Sequence, residues 1–194
     1  GTTEANASIT LYKDGSILSN GSADNSGNWS ITITSALSEG SYSLTATAMD
    51  TAGNVSTSSS PASLTIDTTP PSAPSVTFPS SPSNSGTVTI SLASGATTWE
   101  YSVNNGSSWS SGSSTSFTLA EGTYSAGHIQ VRNSDAAGNA SPVTSSSGEI
   151  IIDTSAPSAP TITAMNPTND TTPTITGTTE ANASITLYKD GSIL

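Results

Sequence analysis

The sequence contains no cysteine and only three basic side chains against fourteen acidic ones. Without thiols there are no disulfides and no thiolate metal sites, so small domains must be held by their cores or by another cross-link, for which a hard metal ion would serve. The net charge of −11 argues against nucleic acid and anionic membrane surfaces as partners, since both require clustered Lys or Arg, and favours cations. No apolar run reaches the ~18 residues that span a bilayer, and no charged start leads into an apolar segment, so membrane insertion is not expected. Charged residues make up only 9%, too few for a typical disordered chain. Hydroxyls are what the chain has in plenty: Ser and Thr exceed a third of all residues. The apolar residues alternate with them, which predicts folded β structure with hydroxylated outer faces.

A nine-residue stretch occurs twice, Ile66 to Pro74 (IDTTPPSAP) and Ile152 to Pro160 (IDTSAPSAP). Each ends a β-branched run, places one carboxylate at the exit and follows it with prolines that lack the amide hydrogen of a sheet ladder. These stretches read as domain joints, 86 residues apart, a spacing suited to modules of immunoglobulin-like size. Residues 1–18 also recur unchanged at 177–194, so the period is 176 residues and the chain begins and ends within a repeat. The expected organisation is a module at 1–67 without its first strand, a complete module at 68–153, and the first part of a further module at 154–194.

Between the joints the chain reads as all-β: tandem immunoglobulin-like seven-strand sandwiches joined by short Pro-rich linkers. Trp29, Ile31 and Ile33 share one strand face, as do Tyr42, Leu44, Ala46 and Ala48; in the second module Val88, Ile90 and Leu92, then Trp99, Tyr101 and Val103, do the same. Ile129 and Val131 face inward and leave His128, Gln130 and Arg132 outside. Asp14-Gly15, Asn105-Gly106 and Asp190-Gly191 are pairs suited to tight hairpin turns with positive φ. The motif L-x-E-G-x-Y, at 37–42 and 119–124, has the form of a tyrosine corner, in which the ring packs and the hydroxyl bonds nearby backbone.

The motif D-x-A-G-N, at 50–54 and 135–139, falls in the loop between the last two strands of each sandwich, at the end where the first strand enters. Asp153 from the joint, Glu180 (its copy is Glu4) from the loop between the second and third strands, and Asp50 with Asn54 are therefore expected to converge. The matching set in the second module is Asp67, Asp135 and Asn139, without a carboxylate in the loop Ala93–Thr97. Calcium, which takes 6–8 oxygen ligands in flexible geometry, suits such loops better than magnesium, and a cation relieves the repulsion of gathered carboxylates. In the competing reading, Asp50 and Asp135 only make side-chain turns, with Gly53 and Gly138 supplying the bend.

Other signals point away from catalysis. His128 is the only histidine, with no nucleophile that sequence places beside it, and Glu100 and Glu121 read as scattered surface acids rather than a glycosidase pair. Thr-x-Thr runs are ordinary outward strand residues rather than an ice-binding face. Trp99 and Tyr101 read as core, and Trp109 is open to a sugar-stacking role.

The joints, the D-x-A-G-N loops, L-x-E-G-x-Y and the segment Trp99 to Trp109 (WEYSVNNGSSW) resemble the bacterial immunoglobulin-like repeats of giant surface adhesins and biofilm proteins. The resemblance implies a secreted, extracellular array, often exported by type I secretion. In that setting inter-module calcium stiffens a rod that holds a distal binding domain away from the cell. The family's calcium acids carry over to Asp67, Asp153, Asp50 and Asp135, with Glu4 and Glu180 as additions. The expected function is thus a non-enzymatic spacer whose partners are neighbouring repeats, its surface target being bound elsewhere. Two alternatives stay open: a filament subunit completed by strands from neighbouring copies, and a glycan-binding module.

Overall fold

The computed structural model describes residues 1–194 and contains strands but no helix, hence none long and apolar enough to cross a membrane. Residues 1–67 build one antiparallel sheet from β1 (Ser8–Lys13), β2 (Ser16–Ser22), β3 (Gly40–Met49) and β4 (Ala62–Ile66) in the order β2-β1-β3-β4. The turn between β1 and β2 needs two left-handed residues, and Asp14 (φ 49°) and Gly15 (φ 81°) provide them. Ala7, Ile9, Leu11 and Ala23 are buried on the sheet's inner face. Trp29, Ile31 and Ile33 lie half-buried and alternate with exposed Ser30 and Thr32. The expected strand at 29–33 nevertheless does not form. Residues 30–37 make no main-chain hydrogen bonds, because no strand stands beside them.

Residues 68–153 form a two-layered sandwich. One layer holds β5 (Ser75–Thr77), β6 (Thr87–Ser91) and β9 (Ser116–Thr118) in the order β5-β6-β9. The other holds β7 (Ala96–Ser102), β8 (Ser110–Ser111), β11 (Gln130–Asp135) and β12 (Thr144–Ser145) in the order β12-β11-β7-β8. A further antiparallel pair, β10 (Gly122–Tyr124) with β13 (Ile150–Ile152), adds Ile150 and Ile152 to the core. Val88, Ile90, Trp99, Leu119, Ile129, Val131, Ile150 and Ile152 form the core between the layers. Tyr101 and Phe117 stack against each other with centroids 4.0 Å apart. Two inward assignments fail: Leu92 and Val103 are exposed, each lying one residue past the end of its strand, β6 or β7.

Residues 154–194 carry two short hairpins, β14 (Thr161–Ile162) with β15 (Gly177–Thr178), and β16 (Tyr188–Lys189) with β17 (Ser192–Ile193). No residue of this segment is buried.

Candidate functional site

The D-x-A-G-N loops are built around their aspartates. Asp135 Oδ1 accepts the amides of Ala137 and Asn139, both at 2.9 Å, and Oδ2 accepts Asn139 Nδ2 at 2.9 Å. Asp50 repeats this with Ala52 (2.9 Å), Asn54 N (2.8 Å) and Asn54 Nδ2 (2.7 Å). The glycine of each loop sits at positive φ, 93° at Gly138 and 90° at Gly53, where a side chain would be strained. Donation from the asparagine side chain, then from loop amides, stabilises the charged form and lowers both carboxyl pKa values. A third loop of this kind stands at Asp24–Asn28: Asp24 Oδ1 accepts the amides of Ser26 (2.8 Å) and Asn28 (2.9 Å), with Gly27 at φ 81°. Its D-x-x-G-N spacing was the signal in the sequence. The turn-forming role is thus realised in full, and it leaves part of each carboxylate's capacity of about four acceptor positions free.

At the first joint the structure places Asp67, Asp135 and Asn139 near one another. Asp67 and Asp135 line one polar cleft of about 370 Å³ with Thr69, Ser72, Ser94 and Gly95. Asn139 Nδ2 also donates to the Asp67 carbonyl at 3.0 Å. Every donor in that cleft is oxygen, the type a hard cation such as calcium takes. Glu4, Asp50 and Asn54 likewise line a common cleft in the first module.

The convergence expected at Asp153 concerns a module whose parts stand at opposite ends of the sequence, Asp153 and Glu180 in one and Asp50 and Asn54 in the other. No group of three or more His, Cys, Asp or Glu side chains comes close enough to share a metal ion. Asp153, at the end of the complete module, and Glu180, in the segment that follows it, are both exposed. The loop they were expected to face, with Asp50 and Asn54, lies between β3 and β4 in the first sheet.

The corner glutamates also act at the joints. Both corner tyrosines donate to backbone as expected, Tyr42 to the Ser38 carbonyl at 2.7 Å and Tyr124 to the Ala120 carbonyl at 3.1 Å. Between ring and bond, Glu39 accepts the hydroxyls of Thr68 (3.0 Å) and Thr69 (2.8 Å). Glu121, read from sequence as a surface acid, accepts the Thr154 hydroxyl at 2.5 Å and the Ser155 hydroxyl at 3.1 Å. These hydroxyl bonds, that of Thr69 largest for Glu39 and that of Thr154 largest for Glu121, hold both carboxyls below their ordinary pKa. Each module therefore grips its own exit joint through its corner.

The second module grips the same joint from the other side. The Thr144 hydroxyl donates to the Pro74 carbonyl at 2.6 Å. Asn133, fully buried, takes the amide orientation that satisfies it completely: Nδ2 donates to the Ser72 carbonyl and to Ser141 Oγ, and Oδ1 accepts the Ala93 amide. Residues 67–74 are thus tied to the module before by Glu39 and to the module after by Asn133, Asn139 and Thr144.

Trp109 does not join an aromatic platform. The Arg132 guanidinium sits 4.1 Å from its ring centroid and forms an ion pair of 2.8 Å with Glu100.

Residues 1–68 match the family described as Bacterial Ig-like domain. No curated protein matches the chain. Among solved structures, it is similar to the fibronectin(III)-like modules of Clostridium thermocellum CbhA, with 15% identity and a TM-score of 0.48, over 78% of this chain and 80% of that one. It is also similar to a structure from a 1.5-MDa bacterial ice-binding adhesin, with 21% identity and a TM-score of 0.40, over 84% of this chain and 59% of that one. A third likeness is to the FN1–FN3 domains of chicken CNTN1, with 15% identity and a TM-score of 0.29, over 84% of this chain and 63% of that one.

Proposed function

From a chain that carries a bacterial Ig-like domain at residues 1–68, we propose a spacer segment of an extracellular bacterial adhesin. Its work is mechanical: consecutive modules are kept in line so that a binding domain elsewhere in the protein is held at a distance. The observation that carries this reading is the joint at 67–74, bonded by side chains of both flanking modules. A linker meant to flex would leave its carbonyls and hydroxyls to water; here they are used to fix the chain direction. The partners in this reading are neighbouring repeats, with no role for nucleic acid, for catalysis or for membrane insertion.

Calcium enters the proposal as the stiffener of the same joint. Asp67 and Asp135 would hold the ion, helped by hydroxyl and carbonyl oxygens of the cleft they line. The ion would supply charge neutralisation there, converting repulsion between carboxylates into a cross-link. Ligand binding to the folded form alone raises stability by mass action.

Distance measurement across the joint tests both parts. The chain has no native cysteine, so spin labels at Asn20→Cys and Thr123→Cys, both exposed positions, report the inter-module distance without interference. A narrow distribution is expected, broadened by Glu39→Ala with Asn139→Ala, and broadened by chelator unless Asp67→Ala has already abolished the effect. A broad distribution in the unmutated protein with calcium present would remove the spacer reading. A narrow one indifferent to chelator would remove calcium and leave the hydrogen-bonded clamp.

A further inference from the structure

The complete module, residues 68–153, is bonded directly from its first segment to its last strand. Ser83 forms a parallel bridge with Ile152: the Ser83 amide donates to the Ile151 carbonyl and the Asp153 amide to the Ser83 carbonyl, both at 2.9 Å. Ser81 Oγ adds a third bond by accepting the Ile151 amide at 3.0 Å. Ser83 is itself braced, its Oγ accepting the Ser85 amide at 3.1 Å and donating to the Ser85 carbonyl at 2.9 Å. Hydrogen bonding alternates along a strand, so Ile151 serves residues 81–83 while Ile150 and Ile152 face Tyr124 and Gly122 of β10. The last strand is thus held on both of its edges.

Strand direction sets how these bonds are loaded. β10 with β13 and β11 with β12 lie in one continuing antiparallel register, from Gly122↔Ile152 to Val131↔Thr144. At one end of it Glu121 holds the exit joint at Thr154 and Ser155, and beyond the other Asn139 holds the entry joint at Asp67. The two joints therefore stand at opposite ends of these strands, and tension transmitted along the chain acts along the strand axes. Residues 81–83 and 151–153 run in the same direction but are pulled opposite ways, the first toward the entry joint and the second toward the exit. They are drawn past each other, so the bonds between them share the load and break together. An antiparallel ladder pulled open from one end loses its bonds one at a time.

We infer that residues 81–83 and 151–153 form a tension-bearing clamp, which keeps the complete module folded when the chain is pulled from its two joints. Load entering at the first joint passes through residues 75–83 to 151–153 and leaves at the second, without crossing the core between the layers. Ahead of the clamp, β5 adds only the three pairs it makes with β6, Ser75↔Ser91 to Thr77↔Thr89. The clamp rests on the spacer reading for the source of the tension and adds a second property to it: the joints set the direction of the chain, and the clamp keeps the module from unravelling under pull.

Resistance to force and equilibrium stability are separable quantities. Forced unfolding is governed by the unfolding rate, and an interaction slows that rate only if it is lost on the way to the transition state. A clamp bond therefore acts on the unfolding force in one direction of pull, whereas a bond elsewhere in the module acts on the equilibrium alone.

Single-molecule stretching of the full chain tests this, with handles attached through introduced cysteines, since the chain has none of its own. Handles at Ala73→Cys and Ala156→Cys, exposed positions in the two joints, load the clamp in shear. Handles at Ala73→Cys and Ser94→Cys, the latter also exposed, instead peel β5 from β6 at the Ser75↔Ser91 end. The first pair is expected to need the higher unfolding force. Asp153→Pro removes one amide of the clamp and is expected to lower that force while leaving the second direction unchanged. Ser81→Ala, which keeps every main-chain bond, is expected to give a smaller loss, and it decides the matter should Asp153→Pro not fold. Tyr124→Phe, whose lost bond to the Ala120 carbonyl lies off the load path, is expected to lower the denaturant midpoint and leave both forces as they were. Equal forces in the two directions, an Ala73–Ala156 force indifferent to both clamp variants, or a Tyr124→Phe that weakens it as much as Asp153→Pro would each overturn the inference. All of these are read within one module, so they stand apart from the inter-module distances that test the spacer.

Discussion

At the scale of single residues, the acids of this chain are spent on local geometry before they are available to anything else. Asp24, Asp50 and Asp135 organise three loops, and Glu39 and Glu121 hold the joints. All five have lowered folded pKa values. Their folded forms therefore bind fewer protons than the unfolded chain through the carboxylate range. The stability they contribute is complete above the ordinary carboxylate pKa and is lost as pH falls through the lowered folded values. Denaturant titrations across acid pH should show this loss, and Glu39→Gln with Glu121→Gln should reduce its size. The aspartate loops were legible because D-x-A-G-N is local. The role of Glu39 and Glu121 was not, because their hydroxyl partners lie about thirty residues along the chain and one acid among fourteen carries no mark of its partner. Tyr124→Phe removes only the bond to the Ala120 carbonyl and should cost about 1 kcal/mol, measured as a shift in denaturant midpoint.

At the scale of elements, turn chemistry and strand alternation were reliable guides, and pairing was not. The Asp-Gly and Asn-Gly turns adopt the positive φ that their residues favour. A methyl group added at Gly15 would meet only open space, so Gly15→Ala should cost only the left-handed backbone penalty, about 1–2 kcal/mol, read from thermal unfolding of the first sheet. Trp99 is a stronger case. Its ring packs with Tyr101 and Phe117 at centroid distances of 5.9 and 6.0 Å, and its Nε1 donates to the Ser114 carbonyl at 2.8 Å. Trp99→Ala should cost about 3–5 kcal/mol and lower the unfolding midpoint of residues 68–153. The segment at 29–33 marks the limit of reading by pattern: its alternation was visible, but a strand exists only when another strand takes up its amides and carbonyls.

At the scale of the whole molecule, the cores are unequal. Eight buried apolar side chains sit between the layers of 68–153, four lie under the first sheet, and none lies in 154–194. Because buried apolar area supplies most of the favourable free energy of folding, calorimetry should resolve two transitions, the first sheet melting before the complete module. Calcium should raise the later one, and Asp135→Asn should diminish that rise while conserving the side chain's size. Joint hydrogen bonds couple the two units, so Glu39→Ala should separate the transitions further.

The sequence by itself determined the all-β class, the faces of the strands, the hairpin turns, the joints and the period of the repeat. These depend on side-chain alternation and backbone preference within a few residues. Only the tertiary structure decided which of those residues are buried, which acids hold a joint, and which expected carboxylates line one cleft. Residues 8–13 and 184–189 have one sequence and two fates, because burial is settled by the strands that come to lie beside a segment.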